Sequence, residues 1–455
     1  MKKIKRLLCL VITGVMCIGT ASISVNAAEK WPEGVSVDSE NAIVMEASTG
    51  TILYQKDCKK KSYPASITKI MTTMLALQNS SPDEIVTFSQ DAIYKTEGSG
   101  VARDIGEQLT MKDCLYAVML ESANECAYAV AEHIGGGDYS KFVDLMNEKA
   151  KELGCENTHF NNCNGLPDEQ HYTTCYDMAL IAREAIKNDD FRTLISTKTY
   201  TLPKTNKKDQ ELTMYNHHAM ICSNRTSRYL YEYAIGGKTG YTVAARNTLV
   251  TYAEKDGMLL ICVVMRSNSS AQYADTEKLF DYCFNNFKMY NVAQNEKRYS
   301  NNSQTDSLKL SQTQPFAELD SDAEIILPKA ASFDDTSVDV SYDNVNDTVL
   351  GTLVYKYGNR VAGKADVVTT GASVEPFEFS KGSLLSTAAD TDGEDSADSS
   401  KEINKSTLRN IIVIIVVAAA VLFAVLWLFA NKNRIFRGKS GSGKKYKKIR
   451  KNRKW

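Results

Sequence analysis

An α+β fold is expected for the larger part of this chain, followed by a small all-β domain. Two patterns predict the first. β-branched runs stand at both ends of the segment 28–290, and helical periodicity fills its middle. Strands that far apart in sequence imply a sheet closed by the two ends, with the helices packed against it. One pattern predicts the second. Helical periodicity fades between residues 291 and 380, where short alternating stretches take over. At 455 residues the chain is long enough for two or three domains.

Taken in order, residues 1–27 read as a secretory signal. Lys2, Lys3, Lys5 and Arg6 precede an apolar run from Leu7 to about Ile23, and Val25-Asn26-Ala27 forms a small-residue cleavage pattern. Val15-Met16 ahead of Cys17 lacks the small residue of a lipoprotein site. Strands are expected at 42–45, 51–54, 248–253 and 259–265. Helices are expected at 67–78, 111–133, 139–153, 175–187 and 274–287. In the second domain, strands are expected near 323–327, 337–342 and 349–357. No internal repeat is visible.

Residues 381–407 are rich in Ser, Asp and Ala and read as an acidic flexible tether. Within 408–430, Ile411 to Ala430 is an uncharged apolar run of about the twenty residues that cross a bilayer. Arg409 precedes it, and Lys432, Arg434, Arg437 and Lys439 open the basic tail 431–455. The positive-inside rule puts that tail in the cytoplasm and the rest outside. The expected location is the cell membrane, crossed once, with everything before the apolar run outside and the C-terminus in the cytoplasm. The formal net charge of -1 therefore hides a basic tail and an acidic remainder. Fixing topology is the simpler role for the tail, so no nucleic-acid partner is expected.

Of 11 cysteines, Cys9 and Cys17 fall in the signal. The other nine show no CxxC pair, and Cys114, Cys126, Cys262 and Cys283 have apolar neighbours. Mostly free, buried thiols are expected, although export often goes with disulfides. No Cys/His cluster has ligand spacing, so neither a metal nor another cofactor is expected.

Three short motifs carry the chemistry. Ser66-Ile67-Thr68-Lys69 follows Pro64-Ala65 and opens an apolar helix. The i, i+3 spacing puts hydroxyl and amine on one face. A serine needs a base to become a nucleophile, and a lysine serves only if burial or nearby charge lowers its pKa. A helix start also aims backbone N–H groups at a developing oxyanion. Alone, the motif equally fits a capping serine beside a surface lysine. Ser122-Ala123-Asn124 interrupts an apolar helical run, where polar groups need partners or a function; a capped turn is the bland alternative. Lys238-Thr239-Gly240 follows Gly236-Gly237 and lies on or beside a sheet edge. A cation and a hydroxyl beside glycine can grip a carboxylate, though a Gly-rich turn has the same composition.

Order and spacing say more than any one motif. SxxK, then SxN, then KTG is the pattern of penicillin-binding proteins and class A β-lactamases. The chain resembles the low-molecular-weight D-alanyl-D-alanine carboxypeptidases in particular. Besides the three motifs and their flanks, Phe142 to Asn147, Asn157-Thr158-His159-Phe160, Asn164-Gly165-Leu166 and Tyr176 to Ala179 are similar. The resemblance covers residues 35–290 closely and 291–380 weakly.

It implies a β-lactamase/transpeptidase-like domain, an antiparallel sheet with helices, and a peptidoglycan stem peptide as substrate. It also implies β-lactams as covalent inhibitors. Ser66 would attack the D-Ala-D-Ala carbonyl, and neutral Lys69 would take its proton. Ser122 would relay a proton to the leaving D-alanine, and Asn124 would bind substrate backbone and hold Lys69. Lys238 would supply positive field, Thr239 would contact the terminal carboxylate, and Ser66 and Tyr241 N–H groups, beside Gly240, would form the oxyanion hole.

Two departures stand out. Family members often carry an arginine where Gln272 precedes Tyr273, and Arg266 is the expected substitute. The spanning segment replaces a surface-lying amphipathic helix. Rival readings are weaker. A class A β-lactamase would need a Glu-x-x-Leu-Asn run between Asn124 and Lys238, which is absent. An endopeptidase or transpeptidase would share the chemistry. A wall-binding sensor would not need Ser66 and Lys69 together. A Ser-His-Asp hydrolase finds no GxSxG run, and His133, His159, His171, His217 and His218 read as structural or surface residues.

Overall fold

The computed structural model describes residues 31–298, 317–343 and 345–370. The signal, tether, spanning segment and basic tail lie outside the described residues. Among the described residues no helix is long and apolar enough to cross a membrane.

The first sheet has five antiparallel strands. β1 (Asn41–Glu46) and β2 (Ile52–Lys56) form an N-terminal hairpin. β7 (Ala234–Thr242), β8 (Arg246–Lys255) and β9 (Met258–Ser267) form a C-terminal meander. β1 pairs with β9, giving the order β2-β1-β9-β8-β7. The chain ends thus close the sheet, as their β-branched composition implied. β7 lies at an edge and carries Lys238-Thr239-Gly240 within the strand rather than in a turn.

Two short hairpins accompany the sheet: β3 (Ile85–Thr87) with β4 (Gln108–Thr110), and β5 (Thr199–Leu202) with β6 (Leu212–Tyr215). The helices are α1 (Lys69–Asn79), α2 (Gln90–Tyr94), α3 (Met111–Tyr116), α4 (Asn124–Ile134), α5 (Tyr139–Glu152), α6 (Cys175–Ala185), α7 (Asp189–Ser196), α8 (Ala271–Asn286) and α9 (Val292–Asn295). Six begin with side-chain caps of the preferred kind, for example Thr110 on Asp113 N and Thr174 on Asp177 N.

The sheet separates two cores. On one face Ile43, Met45, Val250, Tyr252, Ile261 and Val263 pack with α1 and α3 to α7. On the other face Val44, Leu249, Leu260, Cys262 and Val264 pack with α8. Strands buried on both faces read as continuous apolar runs, which is why 259–265 was legible.

The helix expected over 111–133 is instead two helices. After α3 the backbone widens into a π-turn at Ala117–Glu121, and Ser122 turns left-handed at φ 61°. α4 then restarts at Asn124. π-turns of this kind gather at functional sites. The helix expected from residue 67 starts at Lys69, preceded by a tighter 3-10 turn over Ala65–Thr68.

A second antiparallel sheet begins at β10 (Phe287–Asn291), which continues directly from α8. With β11 (Ala317–Leu319), β12 (Glu324–Pro328), β13 (Ser337–Ser341), β14 (Val349–Tyr357) and β15 (Arg360–Thr369) it forms the order β10-β12-β15-β14-β13, β11 adding to β15. Ile325, Leu327, Phe333, Leu353 and Tyr355 make its core. All nine cysteines among the described residues are free, and all but Cys155 are buried. The architecture is α+β, as expected: a five-stranded antiparallel sheet with helices on both faces, followed by a second antiparallel sheet.

Tyr252 ties the two layers together. It is fully buried, and its hydroxyl donates to Ala182 O on α6 at 2.9 Å. Tyr252→Phe keeps the packing and removes that bond. It should cost about 1 kcal/mol of stability, read as a lower urea midpoint at unchanged slope.

Candidate active site

Ser66 sits in the 3-10 turn over Ala65–Thr68, at the meeting of α1 and β7. Its position is over-determined. Thr248 on β8 donates to Pro64 O at 2.7 Å. Thr68 Oγ1 lies 2.9 Å from His171 Nε2. Asn161 N donates to His171 Nδ1 at 3.0 Å, so Nε2 carries the ring proton and donates to Thr68. Burial pushes the His171 pKa down to about 3, in keeping with a neutral structural ring. Ala65 is held left-handed at φ 51°. Backbone in this region costs on the order of 1–3 kcal/mol and persists only where surroundings enforce it.

Two glycines allow the enforcement. Gly165 has φ +88°, and a Cβ there would run into the Ala65 carbonyl. Gly240 lets β7 approach the serine turn: a Cβ on it would lie 2.9 Å from Ser66 N and 3.2 Å from Ala65 Cβ. The Ser66 amide therefore faces the strand that also supplies the Tyr241 amide.

Lys69 is fully buried one turn further on. Its Nζ lies 3.1 Å from Ser66 Oγ, 2.6 Å from Asn124 Oδ1 and 2.6 Å from Asn164 O. Asn124 Nδ2 is committed to Glu97 O, which fixes the amide with its oxygen toward the lysine. Burial pushes the Lys69 pKa down to about 7, against the opposing pull of Cys163 and Glu125. Both Asn124 Oδ1 and Asn164 O are obligate acceptors. A neutral amine must therefore give its two N–H bonds to them, which turns its lone pair on the Ser66 hydroxyl.

Ser122 follows the π-turn with its Oγ buried and without a partner among the described residues. A hydroxyl left unsatisfied at a cleft wall is available to a ligand. Lys238 is buried, and its Nζ donates to Thr239 O at 3.0 Å. Burial, with Lys69 nearby, pushes its pKa well below the usual lysine range.

A cleft of about 350 Å³ opens over these groups. Ser66, Ser122, Thr239, Gly240 and Tyr241 line it, as expected from the sequence; Lys69, Asn124 and Lys238 lie beneath its floor. Arg266 does not line it. Its Nε donates to Glu40 Oε2 at 2.7 Å, and Glu40 also holds Arg246 at 2.6 Å. Arg266, expected to replace the arginine missing at Gln272, is thus placed outside the cleft lining and paired with Glu40.

Gln272 and Tyr273, the place where an arginine was expected, contribute to the walls. Ser99, Asn247, His217 and Arg225 also line the cleft and had no sequence signal for it. His217, read as structural or surface, stands at the cleft beside Glu121, 2.7 Å from Nε2 to Oε2. It is no partner of Ser66, whose hydrogen-bond neighbour is Lys69. Asn164 was visible only as part of a similar stretch, and its role is played by a backbone oxygen that no side-chain pattern encodes.

Fold and site together define a serine peptidase of the acyl-enzyme class, with a buried lysine amine within hydrogen-bond distance of the serine hydroxyl. The D-alanyl-D-alanine carboxypeptidase family model matches residues 25–269, and the chain belongs to that family. It is 30% identical over 381 residues to the D-alanyl-D-alanine carboxypeptidase DacF of Bacillus subtilis, spanning 80% of this chain and 93% of that protein. A D-alanyl-D-alanine carboxypeptidase of a Streptomyces species is 31% identical over 298 residues, 62% of this chain and 99% of its own. Among solved structures, the Streptomyces K15 DD-transpeptidase superposes with a TM-score of 0.52 at 30% identity, over 56% of this chain and all of that one.

Two outcomes follow. Acylation of Ser66 needs neutral Lys69, so its rate should rise with pH through about 7 and then level. On the acid side it should fall about tenfold per pH unit, read by stopped-flow β-lactam labelling. Gly240→Ala puts a methyl between β7 and the Ser66 amide; it should slow acylation by about a hundredfold with the far-UV spectrum unchanged.

Proposed function

We propose that this enzyme removes the terminal D-alanine from peptidoglycan stem peptides through an acyl-enzyme on Ser66. The observation that carries the reading is the Lys69 amine, buried and held by two acceptors with its lone pair on Ser66 Oγ. Ser66 attacks the penultimate D-alanine carbonyl while Lys69 takes the hydroxyl proton. The Ser66 and Tyr241 N–H groups receive the oxyanion. Ser122, with its free hydroxyl, passes a proton to the departing D-alanine nitrogen. Asn124 holds Lys69, and Thr239 meets the substrate carboxylate. Lys238 adds positive field when protonated. Water then attacks the ester, Lys69 acting again as base. A β-lactam enters the same sequence through its strained amide and leaves a slowly hydrolysed ester on Ser66.

The chain's ends give this activity a place. The basic, apolar and small-residue order of residues 1–27 supports export. The apolar run 411–430 with its basic flank supports one membrane crossing, catalytic domain on the wall side and residues 431–455 in the cytoplasm. The division into domains 28–290 and 291–380 is supported by a core under the five-stranded sheet and another within the second sheet, although β10 (Phe287–Asn291), which pairs with β12, straddles the expected limit.

Incubating the ectodomain with a fluorescent penicillin should label a peptide containing Ser66, and a pentapeptide should release D-alanine. Ser66→Ala should abolish both. Lys69→Gln should slow labelling by about a thousandfold. Labelling that survives Ser66→Ala would overturn the assignment of the nucleophile.

A further inference from the structure

An exopeptidase must recognise the free carboxylate that ends its substrate. An anion entering a partly dehydrated cleft needs a cation or several donors. The described residues around this cleft offer few. Lys238 lies under the floor, its amine turned to the Thr239 carbonyl. Arg266 is bound to Glu40. Gln272 stands on the wall, but its amide nitrogen is spent on Ser269 O at 3.1 Å. Its Oε1 is buried without a partner among the described residues and can only accept, which a carboxylate avoids.

Arg225 is the guanidinium among the residues that line the cleft. It stands on the exposed segment between β6 and β7. Among the described residues its hydrogen-bond partner is a histidine rather than a carboxylate: Nη2 lies 2.6 Å from His217 Nε2. That same ring nitrogen lies 2.7 Å from Glu121 Oε2. One nitrogen serves one of these contacts at a time. Protonated, it donates to Glu121; unprotonated, it accepts from Arg225. Either way the guanidinium keeps at least four of its N–H donors for another partner. Glu121 is anchored in turn, accepting from Tyr215 N at 2.9 Å, and it directly precedes Ser122.

We propose that Arg225 binds the terminal carboxylate of the substrate, and that His217 and Glu121 are the positioning residues that hold its guanidinium at the cleft. This rests on the carboxypeptidase reading above. Arg225 reaches the cleft from the segment before β7, a different element from α8, which carries Gln272.

The test compares two substrates: a diacyl-L-lysyl-D-alanyl-D-alanine, and the same peptide ending in a carboxamide. Arg225→Gln should lower kcat/KM on the free acid by roughly ten- to hundredfold, mostly through KM, as expected for loss of a charged hydrogen-bond pair. On the carboxamide the change should stay within about twofold. Arg225→Lys should recover part of the loss. His217→Gln should raise KM for the acid alone, by a smaller factor. Equal losses on both substrates, or none on either, would overturn the assignment. A wild-type enzyme that releases no D-alanine from the free acid sinks the carboxypeptidase reading and this proposal with it; wild-type release with an insensitive Arg225→Gln sinks this proposal alone.

Discussion

The site depends on one buried amine held by two fixed oxygens. Lys69 has no exposed surface, so its charged form lacks the hydration that would keep its pKa near the ordinary lysine value. A buried ammonium normally recruits a carboxylate. Here the groups within hydrogen-bond distance are an amide oxygen, a backbone carbonyl and the serine hydroxyl, all neutral. They satisfy the neutral amine as well as the charged one and give the proton no strong reason to stay. Asn124 is oriented by Glu97 O, and Asn164 by the loop that Gly165 allows to approach Ala65. Several separate segments therefore converge to set one lone pair.

The sheet supplies the other half of the chemistry. β7 is an edge strand, so one side of it is free of a neighbouring strand. The serine turn packs against that edge, and Gly240 sets how close it comes. Edge strands are usually a hazard, because unpaired N–H and C=O groups recruit other chains. In this fold the edge carries Tyr241, whose amide is the proposed oxyanion donor, and the turn and the cleft limit what can reach it. The Thr248–Pro64 bond keeps nucleophile and strand in register across nearly the whole domain in sequence. Such precision rests on pairing the two chain ends, since β1 joins β9 in the sheet that carries β7.

Much of this was legible in the sequence, and the missing part has physical reasons. The strands at both ends were visible because burial on two faces leaves continuous β-branched runs. The three motifs were visible because their chemistry is in side chains at fixed spacing. The break at Ser122 was half visible: polar residues marked an interruption, but nothing in Ala117 to Glu121 encodes a widened turn. β5 and β6 were missed because Thr199 to Leu202 and Leu212 to Tyr215 are short and largely exposed, with few apolar positions to set a period. Arg266 is near Gln272 in sequence, which makes it the local candidate. Its partner Glu40 lies at the other end of the domain, beyond any local pattern. Arg225 and His217 sit in a segment with no periodicity, and only the fold brings them to the cleft.

Electrostatics links the carboxylate site to the base. An anion arriving beside Lys69 would by itself favour the ammonium and raise its pKa, which would disable the base as the substrate binds. The same anion would favour protonated Lys238, whose amine is also depressed by burial. A guanidinium at the cleft offsets the incoming charge, because it carries its positive charge at any working pH and needs no proton from the site. In the arrangement proposed for Arg225, carboxylate and guanidinium form a pair with little net field at Lys69. The amine then meets the bound substrate in nearly the same state as in the empty cleft. A lysine in that position would compete for the same protons as Lys69 and Lys238. An arginine keeps recognition of the substrate's charge separate from the proton chemistry that cleaves it.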